Sequence, residues 1–279
     1  MSVMSLPQRL ARWAEVEFTD LDPKAVRHQV GKIPSGAIAV DAGRFANPFD
    51  VAGLDPTARM GAVVQYAVRL AGRRDDLIAV HREAGGRDVS CTCPLGDLGC
   101  HRGVLLDTAN PPRRPRSDGG SAMAITVRRP WASMLLVPHE LGGKSVENST
   151  FSTDYRGPLM IYAGSEVDTH GLTLAQRHGL DAAWHEGRRG WLGAVVLTGV
   201  HRARRHCCTP WGQAQRPGGP PIYHWVLAHP HRLAAPTWAT GPTREERRGF
   251  PGLRSMSWSV LMRTADDPAQ TGCLTVATR

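Results

Sequence analysis

Apolar side chains recur at helical spacing from Pro56 to Leu70, where Met60, Val63, Val64, Ala67, Val68 and Leu70 share a face, so the pattern predicts an amphipathic helix. A second helical stretch follows from Asp75 to Ala84, and a short one from Arg102 to Thr108. Between them, Ala37 to Val40 and Val89 to Cys91 are brief strand-like runs, which makes this half a small α/β unit. The pattern then changes. Ala124 to Val127, Leu159 to Tyr162, Leu192 to Val200, Ile222 to Ala228 and Trp258 to Met262 are strand-like and punctuated by Gly and Pro. Helix is expected only near Pro130 to Leu136 and Thr173 to His178. Five strands with few helices predict a small barrel.

The boundary between the two patterns falls in Asn110 to Ser121, which carries three prolines, three arginines and two glycines and no other apolar side chain. The expected organisation is α+β with two domains: residues 1–110 as the α/β domain, 111–121 as a linker and 122–279 as the β-barrel. Prolines stiffen the first half of such a linker and glycines loosen the second, so the domains should stand apart and reorient. A length of 279 residues suits two domains. At 41 % hydrophobic and 21 % charged, the composition excludes a mainly disordered, fibrous or collagen-like chain.

No apolar run approaches the roughly 18 residues of a membrane span, and Met1 to Trp13 lacks the apolar stretch of a signal peptide, so a cytoplasmic chain with no membrane partner is expected. Six cysteines in such a chain are too sparse for a disulfide scaffold and are expected to be free, buried or metal-bound. No phosphate loop, dinucleotide fingerprint or serine-histidine-acid pattern supports ATP-dependent or redox chemistry.

Charge separates the halves further. Residues 1–110 hold thirteen basic and thirteen acidic side chains, whereas 111–279 hold 21 basic and 12 acidic, which is the whole net charge of +9. A basic domain beside a neutral one points to a polyanion, most commonly nucleic acid, through phosphate neutralisation and counterion release. Plain solubility charge is the alternative. The chain has only three lysines, and the basic domain sets a single one, Lys144, against seventeen arginines. Lysine is a compact charge whose pKa falls on burial, so after Gly142-Gly143 it suits a general base or a close phosphate ligand. Seven of eight tryptophans also lie past Gly120. Trp191 and Trp225 sit in strand patterns and are expected in the core, whereas Trp131 beside Arg128 and Arg129 suits a cleft where bases stack.

Cys91, Cys93, Cys100 and His101 lie within eleven positions and suffice chemically for a Cys3His zinc site. The alternative packs Cys91 and Cys93 in the core and leaves Cys100 at a helix N-terminus, where the dipole favours its thiolate. A second group, His201, His206, Cys207 and Cys208, is interleaved with arginines that oppose a dication, so a basic loop facing phosphate explains it better.

Two resemblances add to this reading. Gly43-Arg-Phe-Ala-Asn47-Pro48-Phe49, Cys91-x-Cys93 and Cys100-His101-x-Gly103 resemble a family of phage and bacterial domains of unknown function with Gly-Asn-Pro-Phe and Cys-x-Cys…Cys-His-Gly elements. This chain departs in having Ala46 in place of the glycine and Arg102 inserted before Gly103. Downstream, Ile125-Thr-Val-Arg128-Arg129-Pro130-Trp131, Gly143-Lys144-Ser-Val-Glu147-Asn148, Thr153-Asp-Tyr155-Arg156-Gly157 and Tyr223-His224-Trp225 resemble an ASCH domain of the PUA-like superfamily, over about 124–233.

That resemblance implies a barrel with a cleft floored by Lys144 to Glu147, and a role in binding or processing RNA or other nucleic acid. Some members deacetylate a modified cytidine and others are ribonucleases. The threonine nucleophile of the deacetylating branch is replaced here by Glu147, and the family's Glu-x-Arg element reads Glu147-Asn148-Ser149. The expected site has Lys144, Glu147, Thr153 and Tyr155 as catalytic candidates. Arg128, Arg129, Trp131, Asn148, Arg156, Arg204 and Arg205 are the nucleic-acid contacts, with Arg128, Arg156 and Tyr155 at the rim. Three functions remain open: a module that binds RNA, single-stranded nucleic acid or a nucleotide; a hydrolase (ribonuclease or amidohydrolase) acting on RNA or a modified nucleoside, with Lys144 and Glu147 as a proton-transfer pair; and an N-terminal Cys/His working site, with zinc as its candidate ion, that the barrel delivers to its substrate.

Overall fold

A computed structural model describes residues 23, 25–27, 32–49, 53, 55–111, 122–179, 189–237 and 251–262. The chain is α+β. Its N-terminal part is a parallel three-stranded sheet, β1 (Ala25–Arg27), β2 (Ile38–Ala39) and β3 (Val89–Cys91), with β3 in the middle. Helices α1 (Pro56–Ala71), α2 (Arg74–Ala84) and α3 (Arg102–Ala109) accompany it. Asp55 starts α1 by accepting hydrogen bonds from the Thr57 and Ala58 amides at 2.8 and 3.1 Å, and Pro56 supplies a first-turn residue that needs no donor.

The second sheet has six strands: β4 (Ala122–Arg129), β5 (Val146–Ser149), β6 (Gly157–Val167), β7 (Gly190–Arg202), β8 (Tyr223–Thr237) and β9 (Arg254–Met256). Their order is β5-β8-β7-β6-β4-β9, with β4 and β6 parallel and the other pairs antiparallel. Helices α4 (Trp131–Met134) and α5 (Thr169–Arg177) lie where helix is expected. The strand expected at Trp258 to Met262 is instead a 3-10 turn over Trp258–Leu261. Its backbone is satisfied across elements rather than by a ladder, because the Trp258 amide donates to the buried Asp107 carboxylate of α3 at 2.9 Å.

Strands β6 and β7 are buried on both faces, and their side chains alternate between two clusters. Leu159, Ile161 and Ala163 join Ile125, Leu192, Val195, Leu197, Trp225 and Leu227 on one face. Met160 and Tyr162 join Trp191, Ala194 and Val196 on the other, and that cluster continues through Val63, Val64, Ala67 and Leu70 of α1. The expectation that the halves stand apart therefore does not hold among the described residues: α1 is the layer that covers the sheet. At Gly61 the contact is so close that an added Cβ would lie 2.5 Å from the His229 ring. Linker residues 112–121, Trp184 and Trp238 lie outside the described residues. Among those described, no helix is long and apolar enough to cross a membrane.

Candidate functional site

The lysine that stands alone in the basic segment is placed by a tight turn. Gly142 adopts a left-handed φ of 83°, and a Cβ on Gly143 would lie 1.9 Å from the Val137 carbonyl oxygen, so both positions require glycine. The turn ends with the Lys144 amide donating to the Met134 carbonyl at 2.9 Å. From there the side chain runs inward and is only 3 % exposed. Its Nζ donates to Glu147 Oε2 at 2.7 Å and to the Val146 carbonyl, and lies 5.6 Å from the centre of the Trp131 ring. Trp131 is itself fixed, because its indole N–H donates to Asp168 at 2.8 Å, and this bond is the main reason that carboxyl sits below its usual range. Trp211 closes the pocket, edge-to-face with Trp131 at 6.4 Å and donating to the Gly143 carbonyl at 3.1 Å. Buried and held by Glu147, the Val146 carbonyl and the Trp131 ring, the ammonium is not presented to a phosphate. What it does is orient Glu147, whose side chain retains 21 % exposure.

The other expected residues divide. Asn148 adjoins the pair on β5 and pins the next loop, donating to the Trp211 carbonyl and accepting from the Gln213 amide, both at 2.9 Å. Thr153, Tyr155 and Arg156 build a self-contained turn. The Tyr155 hydroxyl donates to the Pro158 carbonyl at 2.7 Å, Arg156 donates to the Thr153 and Tyr155 carbonyls, and Thr153 Oγ1 accepts from the Tyr155 amide. Arg128 forms an exposed ion pair with Glu166 at 2.9 Å, and Arg129 donates to the Ser165 carbonyl. None of these contacts is to Lys144 or Glu147.

Beside this pocket lies a group that the sequence only half revealed. His201 of β7 is paired across the ladder with His224 of β8, which places both rings on one face, 5.2 Å apart. The loop between these strands brings in Cys207 and Cys208. One ligand atom from each of His201, Cys207, Cys208 and His224 lies within 4.8 Å of all the others, and the four could hold a metal ion. His206, expected in this set, is exposed at a left-handed φ of 60° and is not in it. His224 takes its place although it lies sixteen residues beyond Cys208. Its register partner on β5 is Asn148, so the group borders the Lys144 pocket. Burial foremost, with His201 and Lys144 nearby, lowers the His224 pKa against the opposing Gln213 carbonyl.

In the N-terminal part, Cys91, Cys93 and Cys100 also converge within 4.8 Å and could hold a metal ion. His101 does not join them. Its Nε2 lies 2.9 and 3.1 Å from the Val40 and Phe45 carbonyls and its ring meets Tyr66 edge-on, so it braces the core. Arg102 organises the thiol loop: it is buried and donates to the carbonyls of Val26, Cys91, Cys93 and Pro94. Hydrogen bonds from Cys100 and Cys93 pull the Cys91 thiol well down, and the Cys100 thiol is pushed up in turn.

No known protein-family model matches the chain, and no curated protein matches its sequence. The remaining feature of the site is its charge. From Gly190 to Thr237 the chain contains no Asp or Glu. Arg202, Arg204, Arg205 and Arg216 are all exposed there, and none forms an ion pair with a described residue.

Proposed function

We propose that residues 122–262 form an ASCH-like, PUA-like module that binds RNA or single-stranded nucleic acid, with the sheet curving into a barrel around the Trp225 cluster. The observation that carries this reading is the acid-free β7–β8 segment with Arg202, Arg204, Arg205 and Arg216 exposed on it, set beside the pocket of Lys144, Glu147 and Trp131. Exposed guanidinium groups that pair with no described acidic residue neutralise phosphates and release their counterions, which is the sequence-independent part of such binding. Glu147 is the group suited to accept a hydrogen bond from a base, with Lys144 as its positioning residue. A binding role is favoured over a hydrolase because the ammonium is already committed to Glu147 and the Val146 carbonyl. The three converging thiols favour a second working site: Cys91, Cys93 and Cys100 would give zinc three ligands and leave its fourth position open.

The test is fluorescence anisotropy of the full chain with labelled single-stranded RNA over a range of salt. Affinity should fall linearly on a log-log plot, and Arg204→Ala/Arg205→Ala should reduce the slope by about 1.4, at roughly 0.7 per lost phosphate contact. Affinity that ignores salt, or a double variant that binds like the parent, refutes the proposal.

A further inference from the structure

We propose that His201, Cys207, Cys208 and His224 form a closed tetrahedral zinc site that clasps the loop between β7 and β8 onto the sheet. The donor set is two thiols and two imidazoles, a combination that structural zinc takes. Zinc with sulfur at about 2.3 Å and nitrogen at about 2.0 Å sets sulfur and nitrogen about 3.5 Å apart in a tetrahedron. Here Cys207 Sγ lies 3.3 Å from His224 Nδ1, and Cys208 Sγ lies 3.3 Å from His201 Nε2.

The orientation of the rings points the same way. His201 Nδ1 lies 3.0 Å from the Arg202 carbonyl, and His224 Nε2 lies 2.9 Å from the Gln213 carbonyl. A carbonyl can only accept, so both outer nitrogens carry the hydrogen. The inner nitrogens, which face the cysteines, are then the ones with lone pairs. This outer-carbonyl arrangement is how metal-binding histidines are held in the correct tautomer. Cys207 Sγ also lies 3.1 Å from the Arg204 amide, which donates to it.

The backbone is shaped to bring adjacent cysteines to one point. His206 and Cys208 take left-handed φ values of 60° and 58°. Gly212 passes so close that a Cβ there would lie 2.5 Å from the Cys207 carbonyl oxygen and 2.8 Å from His224 Cε1. Strain of this kind persists where surrounding contacts over-determine it. The neighbouring arginines do not prevent binding, because Arg202, Arg204 and Arg205 are exposed and their fields are screened by water. On binding, each thiol releases one proton to solvent, so two thiolates neutralise the dication. With four protein ligands no position is left for a substrate, so the site is structural, and it orders the loop that carries Arg204, Arg205 and Arg216.

The experiment is zinc content by mass spectrometry of the full chain, purified without chelator or histidine tag and reconstituted with zinc. Cys207→Ser/Cys208→Ser should lose one zinc per chain relative to the parent, whereas Cys91→Ser/Cys93→Ser should keep that zinc. Cobalt substitution of the parent should give the visible bands of a tetrahedral site and a charge-transfer band from two thiolates. Because a variant can fail to fold, alkylation of the parent is the second measurement: zinc should slow modification of Cys207 and Cys208 by about ten-fold or more. Equal zinc in the parent and in Cys207→Ser/Cys208→Ser, or alkylation of these thiols at one rate with and without zinc, overturns the proposal. Neither result depends on RNA, so failure of nucleic-acid binding and failure of the metal site are separately visible.

Discussion

Replacing Lys144 with methionine keeps most of the side chain's volume and removes its charge, which isolates what the ammonium does. At the observed Nζ–Oε2 distance of 2.7 Å, an effective dielectric of about 20 gives an attraction of about 6 kcal/mol before desolvation is subtracted. Removing one partner of a buried pair costs about 3–5 kcal/mol when the other charge is left stranded. Glu147 is partly exposed and can turn to water, so Lys144→Met should cost about 2–3 kcal/mol, at or under the lower end of that range. Glu147→Leu alone strands the more deeply buried ammonium and should cost more. The double variant should cost less than the two single costs added, with a coupling energy of about 1–3 kcal/mol. Urea-unfolding midpoints of the four proteins, followed by tryptophan fluorescence with the m-values compared, measure the cycle. A cost for Lys144→Met below about 0.5 kcal/mol, or strictly additive single variants, would show that the pair is solvated and that its positioning role is wrong. Lys144→Arg is informative alongside: the larger head group should destabilise by about 1–3 kcal/mol through overpacking, whereas an accessible phosphate ligand would tolerate it.

Two further outcomes follow from buried polar groups. Asp107→Ala leaves the Trp258 amide without its acceptor in a dry contact between α3 and the 3-10 turn, and should lower stability by about 1–3 kcal/mol in the same urea assay. His101 has its pKa lowered, chiefly by burial, so the unfolded chain takes up a proton more readily than the folded one, and stability should fall as pH drops below about 6.5. His81 and His231 shift in the same direction, so His101→Gln should remove part of that slope, and urea midpoints measured across the acid range that do not change with pH would contradict the burial of these rings.

What the sequence determined by itself is what neighbours along the chain decide. The helix of Pro56–Ala71 is legible because its apolar face is a local feature. Lys144 and Glu147 meet because they are three residues apart directly after a glycine turn. Cys91 ends β3, Cys93 follows two residues on in a bend, and a short loop returns Cys100 to them. Other features depend on which strand pairs with which, and at what register, and no periodicity encodes that. The ladder of β7 and β8 sets His224 opposite His201 and so replaces His206 as the fourth member of the Cys/His group. Tertiary packing also turned His101 onto two carbonyls across the core and tied Thr153, Tyr155 and Arg156 into their own turn. It laid α1 over the six-stranded sheet as well, because the apolar face of the helix and the Met160–Tyr162–Trp191 face of the sheet each needed the other to leave water.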